Sequence, residues 1–248
     1  MIEAAILDFD GLILDTETPF HRSWEEIYRE HGLSVSPAAW AGLLGSSADP
    51  AEAYELLERH LGRAIDRAAI RDRRTAREFE LLKRASALPG VCELIEDAVT
   101  RGVRLAIASS SEREWVVGHL AAIGLLEPFE VIACAEDVAA TKPAPDLYET
   151  ALRSLGIPPE RAIVFEDSVH GVAAAKAAGL FCVAVPNQVT RHLAFPAADL
   201  IVETLAGHSL SEFIEAADAY YRSPSSRSRA EGESDRDGRR LTGRTGSF

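Results

Sequence analysis

Between residues 88 and 202, short apolar runs alternate with helix-length segments that open on capping residues and close on glycine. Few folds accommodate that rhythm. Val103-Arg104-Leu105-Ala106-Ile107-Ala108, Ala162-Ile163-Val164-Phe165 and Phe181-Cys182-Val183-Ala184-Val185 read as buried strands, because such runs keep no polar face for water. Val131-Ile132-Ala133 and Leu200-Ile201-Val202 are shorter candidates. Among them, Val91 to Arg101 predicts a helix closed by Gly102, and Ser111-Glu112-Arg113-Glu114 opens another that stops at Gly124. Pro145 to Leu155 and Val169 to Ala178 complete the set, ended by Gly156 and Gly179. Such alternation implies a parallel sheet wrapped by helices on both faces.

The first third of the chain differs. One apolar run, Ala4-Ala5-Ile6-Leu7, reads as a strand, and the period turns helical after Thr16, with Trp24, Ile27 and Tyr28 on one stripe. Asp49-Pro50-Ala51-Glu52 resembles an N-cap, a first-turn proline and a capping-box Glu, with Gly62 as the stop. A further helix fits Asp66 to Arg84. No convincing strand interrupts residues 16–86, which predicts an all-helical insert between two strands of the sheet. From Ser223 onward the chain is rich in Ser, Gly, Arg, Glu and Asp, and Leu241 and Phe248 are its only bulky apolar residues. Too little surface can be buried there to offset ordering entropy, so residues 223–248 are expected to be a disordered tail.

A formal net charge of -13 over 248 residues argues against nucleic acid and anionic membranes as general partners. No apolar run approaches the roughly 20 residues that span a bilayer. Met1-Ile2-Glu3 lacks the basic opening of a secretory leader. Cys92, Cys134 and Cys182 are odd in number and widely spaced, which suits reduced structural cysteines and a cytoplasmic protein.

The chemistry-bearing residues follow the strands. Ile6-Leu7 runs into Asp8-Phe9-Asp10-Gly11, Ile107-Ala108 into Ser109-Ser110-Ser111, and Val164-Phe165 into Glu166-Asp167-Ser168. Ligands of open parallel sheets bind beyond the carboxyl ends of the strands, so one crevice would gather all three segments. Paired carboxylates repel each other unless a cation or a shared proton relieves them. Asp8, Asp10 and Asp167 offer hard oxygen ligands of the kind Mg²⁺ takes alongside water and substrate phosphate. Ser109 adds a hydroxyl near a helix start, where anions are favoured. Lys142, in Thr141-Lys142-Pro143-Ala144-Pro145, adds a positive charge. Blander readings stand beside these: Asp-Gly as an ordinary turn, Ser111 and Ser168 as N-caps, and Lys142 as a solvated lysine. The convergence, rather than any single residue, favours phosphoryl transfer.

The same residues resemble the haloacid dehalogenase-like hydrolase superfamily, in the branch containing β-phosphoglucomutase and sugar-phosphate phosphatases. Asp8 to Thr16 match its first motif, Ser109 the second, Lys142-Pro143 the third, and Glu166-Asp167-Ser168 with Gly171 the fourth. The resemblance covers about residues 1–222. It implies an α/β fold: a Rossmann-like parallel-sheet core over residues 1–15 and 87–222, with residues 16–86 as a helical cap. It also implies a Mg²⁺-dependent phosphatase working through an aspartyl-phosphate on Asp8, with Asp10 as acid and base. Ser109, the Ser110 amide and Lys142 would hold the phosphoryl oxygens. Asp8, Asp167 and the Asp10 carbonyl would hold the metal, with Glu166 at it or just behind it.

Departures from the family pattern narrow the reaction. Asp10 argues against dehalogenation, which uses only the first carboxylate. Lys83, alone in the insert and at its far end, argues against Schiff-base phosphonate hydrolysis. Leu44-Gly45-Ser46-Ser47-Ala48-Asp49 lacks the arginine with which β-phosphoglucomutase grips a second phosphate, and Phe20 stands where that enzyme has histidine, with His21 following. Ser46 and Ser47 fit a polar turn as well as a substrate contact. The expected substrate is a small phosphorylated metabolite, in the first place a sugar phosphate, and the expected state a monomer or weak dimer. The alternatives are a phosphosugar mutase and an inactive member that binds a phosphorylated ligand or a protein.

Overall fold

A computed structural model describes residues 1–34, 51–83 and 85–223. Its centre is a strand buried along its whole length, β1 (Ala4–Leu7). On one side lie β2 (Arg104–Ala108) and β3 (Phe129–Ala133); on the other, β4 (Ala162–Glu166), β5 (Phe181–Ala184) and β6 (Leu200–Ile201). All pairings are parallel, in the order β3-β2-β1-β4-β5-β6. This is a Rossmann-like sheet, and its strand order reverses direction between β1 and β4.

Because strand side chains alternate, successive residues of β1 feed opposite cores. Ala5 and Leu7 join a cluster with Leu94, Ile95, Val116, Leu120 and Phe213, whereas Ala4 and Ile6 join one with Leu147, Tyr148, Leu152, Val172 and Ala175. In the sequence's order the helices are α1 (Glu17–Glu30), α2 (Ala51–Leu61), α3 (Arg67–Leu82), α4 (Val91–Arg101), α5 (Arg113–Ala122), α6 (Asp146–Leu155), α7 (Val169–Ala177) and α8 (Leu210–Arg222). Helices α4, α5 and α8 cover the first face and α6 and α7 the second. A sheet covered on both sides needs near-continuous apolar strands, which the sequence supplies.

The helices α1, α2 and α3 bury a core of their own. Trp24, Ile27 and Tyr28 pack with Ala53, Tyr54, Leu57 and Ile70, the Trp24 and Tyr54 rings meeting edge-on at 4.8 Å. Trp24 is therefore packing, as helical spacing favours. The Tyr28 hydroxyl donates to the Ala53 carbonyl at 2.8 Å, and Asp66 caps α3 through the Ala69 amide at 3.0 Å. This region leaves and rejoins the sheet at one place, where the Leu88 amide donates to the Ile13 carbonyl at 2.8 Å.

Helix boundaries fall within a residue or two of expectation, with one informative difference. Helix α5 has Glu112 at its N-cap with no side-chain capping bond, so Ser111 is not the cap. Its hydroxyl is committed elsewhere, as described below. Ser168 does cap α7, accepting from the Gly171 amide at 3.0 Å. The Asp49-Pro50 cap, the segment Leu44 to Asp49 and the tail beyond Ser223 lie outside the described residues. No described helix is long and apolar enough to cross a membrane.

Candidate active site

The three strands that carry polar residues at their carboxyl ends are neighbours in the sheet, β2, β1 and β4. Asp8 continues the ladder of β1, its amide donating to the Phe165 carbonyl at 3.0 Å, and its side chain is only 9% exposed, with Lys142 Nζ 2.5 Å from Oδ1. The same ammonium donates to Glu166 Oε1 at 2.6 Å and lies 5.2 Å from the centre of the Tyr148 ring. Tyr148 donates its hydroxyl to that Glu166 oxygen at 2.7 Å. The other oxygen, Oε2, accepts from the Asp167 amide, the Ser168 amide and the Ser168 hydroxyl at 3.1, 3.2 and 3.0 Å. Lys142 is thus a buried bridge between two carboxylates, not a solvated lysine.

Gly171 makes room for Glu166. A Cβ on Gly171 would sit 1.8 Å from Glu166 Oε1, inside any tolerable contact. Gly11 works likewise, in the left-handed region at φ 80°, where a Cβ would lie 2.2 Å from Asp167 Oδ2. Asn187, just after β5, donates its amide to Asp167 Oδ2 at 2.6 Å and to the Gly11 carbonyl at 3.3 Å. Its own oxygen accepts from the Val189 and Thr190 amides at 2.8 and 3.0 Å, so its orientation is fixed.

Carboxylate oxygens of Asp8, Glu166 and Asp167 lie within 4.8 Å of one another. Burial pushes Asp8 up to about 8, with Lys142 pulling down and Glu166 and Asp10 pushing up. Asp167 is raised well above the usual carboxylate range by burial and by Asp8, Glu17 and Glu166. For Lys142 burial works against the charge, yet Asp8 and Glu166 overcome it and hold the ammonium firmly protonated. One lysine thus faces a buried group of three carboxylates. Hard oxygen donors converging this closely suit a divalent cation, which would relieve their repulsion.

Asp10 faces a different set. Its Oδ2 accepts from the Ser111 hydroxyl at 2.6 Å and the Ser109 hydroxyl at 3.3 Å, and its Oδ1 accepts from the Trp115 indole N–H at 2.9 Å. Ser109 is buried beside it and accepts from the Ser111 amide at 3.1 Å, while Ser110 is exposed. The sequence-predicted residues therefore form two groups: Asp8, Lys142, Glu166 and Asp167 in one, Asp10 and Ser109 in the other.

Sequence reasoning passed over Trp115, Asn187 and Glu17. Asn187 follows a strand adjacent to β4, the same positional signal that marked the others. Glu17 lies in the first turn of α1; burial pushes it up to about 7, and its Oε2 has no hydrogen-bond partner among the described residues. A helix-opening glutamate is ordinarily a solvated one, so nothing local singled it out.

The family model for haloacid dehalogenase-like hydrolases matches residues 5–185. The Bacillus subtilis protein YhcW is 40% identical over 215 residues, covering 87% of this chain and 97% of its own. The Escherichia coli fructose-1-phosphate phosphatase YqaB is 32% identical over 180 residues, covering 73% of this chain and 94% of its own. A crystal structure of a CbbY variant from Rhodobacter sphaeroides in complex with xylulose-1,5-bisphosphate superimposes with a TM-score of 0.68 at 33% identity, covering 85% of this chain and 98% of that one. With a sheet in Rossmann-like order, three motifs at the ends of its strands, a fourth at Lys142 in the loop before α6, and these relatives along most of its length, the chain belongs to the haloacid dehalogenase-like hydrolase family.

Proposed function

We propose that the protein is a phosphatase that hydrolyses a small phosphorylated metabolite, a sugar phosphate in the first instance, with Mg²⁺ and through an aspartyl-phosphate. The observation that carries this reading is the separation of two nearby carboxylates by environment. Asp8 is buried against Lys142 among the cation-suited carboxylates, and Asp10 is held apart by hydroxyl and indole donors. Two such groups can take two roles.

In the first step an Asp8 oxygen bonds to phosphorus, the bond to the leaving oxygen breaks, and Asp10 gives that oxygen a proton. In the second, Asp10 takes a proton from water, which attacks phosphorus and releases Asp8. A covalent route divides one hard displacement into two easier ones, and positioned acid–base help contributes about 10²–10⁴-fold. Lys142, Ser109 and the Ser110 amide bind the phosphoryl oxygens. Asp8, Asp167 and the Asp10 carbonyl hold the cation, with Glu166 beside it. When bound, Mg²⁺ neutralises phosphate charge and favours the ionised form of Asp8. Helices α1 to α3 act as a cap closing over the site.

YqaB is named for fructose 1-phosphate and the CbbY variant was crystallised with a sugar bisphosphate, which supports the sugar-phosphate class. The test is phosphate release from a panel of sugar phosphates, nucleotides and small organic phosphates, with Mg²⁺ and with EDTA. The reading expects metal-dependent release with a preference among sugar phosphates. Conversion of β-glucose 1-phosphate to glucose 6-phosphate with little release would make the protein a mutase instead. Binding without turnover would make it an inactive member.

A further inference from the structure

Trp115 touches Asp10 and has been assigned no role so far. It stands in the first turns of α5, and its indole N–H reaches Asp10 Oδ1 at 2.9 Å. Its ring packs in a cluster with two others, Phe79 and His119, which stack on each other at 6.2 Å. Phe79 of α3 meets it edge-on at 5.9 Å, and His119, one helical turn further along α5, lies at 4.1 Å. His119 in turn contacts Phe9, the residue between the two aspartates, at 6.4 Å. An indole packed this way is pre-organised, so the bond to Asp10 needs little further ordering.

The donors around Asp10 differ in kind. An indole N–H can only donate, whereas a serine hydroxyl both donates and accepts. Oδ1 accepts from the indole, and a proton placed on it would weaken that bond by making the oxygen a poorer acceptor. Oδ2 faces the Ser111 and Ser109 hydroxyls, which can turn and accept. We propose that Trp115 is a positioning residue that pins Asp10 by Oδ1 and so assigns the transferable proton to Oδ2, the oxygen beside Ser109. The inference rests on the proposed role of Asp10 as acid. In the step concerned, the Oδ2 proton goes to the leaving oxygen as its bond to phosphorus breaks and the Asp8–phosphorus bond forms. Phe79 comes from the helical region and Trp115 from the sheet side, so seating of α3 against α5 also steadies the acid.

The test compares kcat/KM for phenyl phosphate and 4-nitrophenyl phosphate in wild type, Trp115→Phe and Asp10→Asn, all with Mg²⁺. This parameter reports the steps up to departure of the leaving group. Nitrophenolate leaves without a proton, while phenolate benefits from one. Trp115→Phe keeps an aromatic ring against Phe79 and His119 and removes the donor. The phenyl-to-nitrophenyl ratio is expected to fall about fivefold in Trp115→Phe, a small part of the roughly 10²–10⁴-fold that acid–base help supplies, and further in Asp10→Asn. Because both substrates are read on one preparation, partial unfolding cancels from the ratio. A normal ratio in Trp115→Phe with a lowered one in Asp10→Asn overturns the role of Trp115 alone. A normal ratio in both overturns the acid role of Asp10, and this inference with it.

Discussion

At the scale of single residues, the site is a matter of one cation among three buried acids. Lys142 is the compensating charge, and removing one partner of a buried ionic group is far costlier than the pair is worth. Lys142→Met is expected to lose about 3–5 kcal/mol of stability, measured by urea unfolding with EDTA, and Mg²⁺ should restore part of it. Equal loss with and without Mg²⁺ would show that the carboxylates do not share a cation. Proton competition gives a second expectation. Burial holds Asp8 up to about 8 in the cation-free protein, so below that pH a proton must leave before the cation binds. Mg²⁺ affinity should therefore weaken as pH falls from 8 to 6, by about tenfold per unit for each displaced proton. Calorimetric titration at several pH values measures this, and a flat profile from 6 to 8 would contradict it.

The residues legible in the sequence were those whose type and position after a strand announced them: Asp8, Asp10, Ser109, Glu166 and Asp167. Lys142 was legible only by its place in the family motif, since its burial depends on Glu166 and Tyr148 arriving from other elements. Trp115 was not legible, because an indole on a helix usually means packing, and its partner Asp10 lies 105 residues away in the sequence.

Between elements, the decisive fit is that of α7 against the end of β4. Helix α7 starts within two residues of Asp167, and Gly171 in its first turn passes against the Glu166 carboxylate. Gly171→Ala must displace a side chain held by Lys142, Tyr148 and Ser168. Overpacking of this kind costs about 1–3 kcal/mol, and we expect weaker Mg²⁺ binding with it, since Glu166 would move. Thermal melting and metal titration of the variant check both, and unaltered metal affinity would separate Glu166 from the cation. Periodicity and capping residues located the helices well, as the Asp66 and Ser168 caps illustrate. Ser111 misled that reading because its hydroxyl has a stronger acceptor, the Asp10 carboxylate, than the helix amides beside it.

For the whole molecule, the parallel sheet and its two covering layers follow from strands that are apolar throughout. Strand order does not follow from periodicity; it requires knowing which crossover goes to which side, and it emerges only in the structure. That order matters because it makes β2, β1 and β4 neighbours and brings their ends together. Helices α1, α2 and α3 share a cluster of buried residues, but the seating of Phe79 on Trp115 was not legible, since Phe79 reads as one more helical aromatic. A ligand that binds only the folded state stabilises it by about 2.7 kcal/mol at a hundredfold excess over Kd. Mg²⁺ should accordingly raise Tm by several degrees in the wild type and not in Asp167→Asn, as followed by circular dichroism.

The central claim is that phosphate passes through Asp8. Acid-quenching the enzyme during turnover of its preferred sugar phosphate, followed by peptide mass spectrometry, reads this directly. The account predicts a phosphoryl group on Asp8 in the wild type and neither adduct nor phosphate release in folded Asp8→Asn. Undiminished turnover in Asp8→Asn, or a phosphoryl group on another residue, would contradict it.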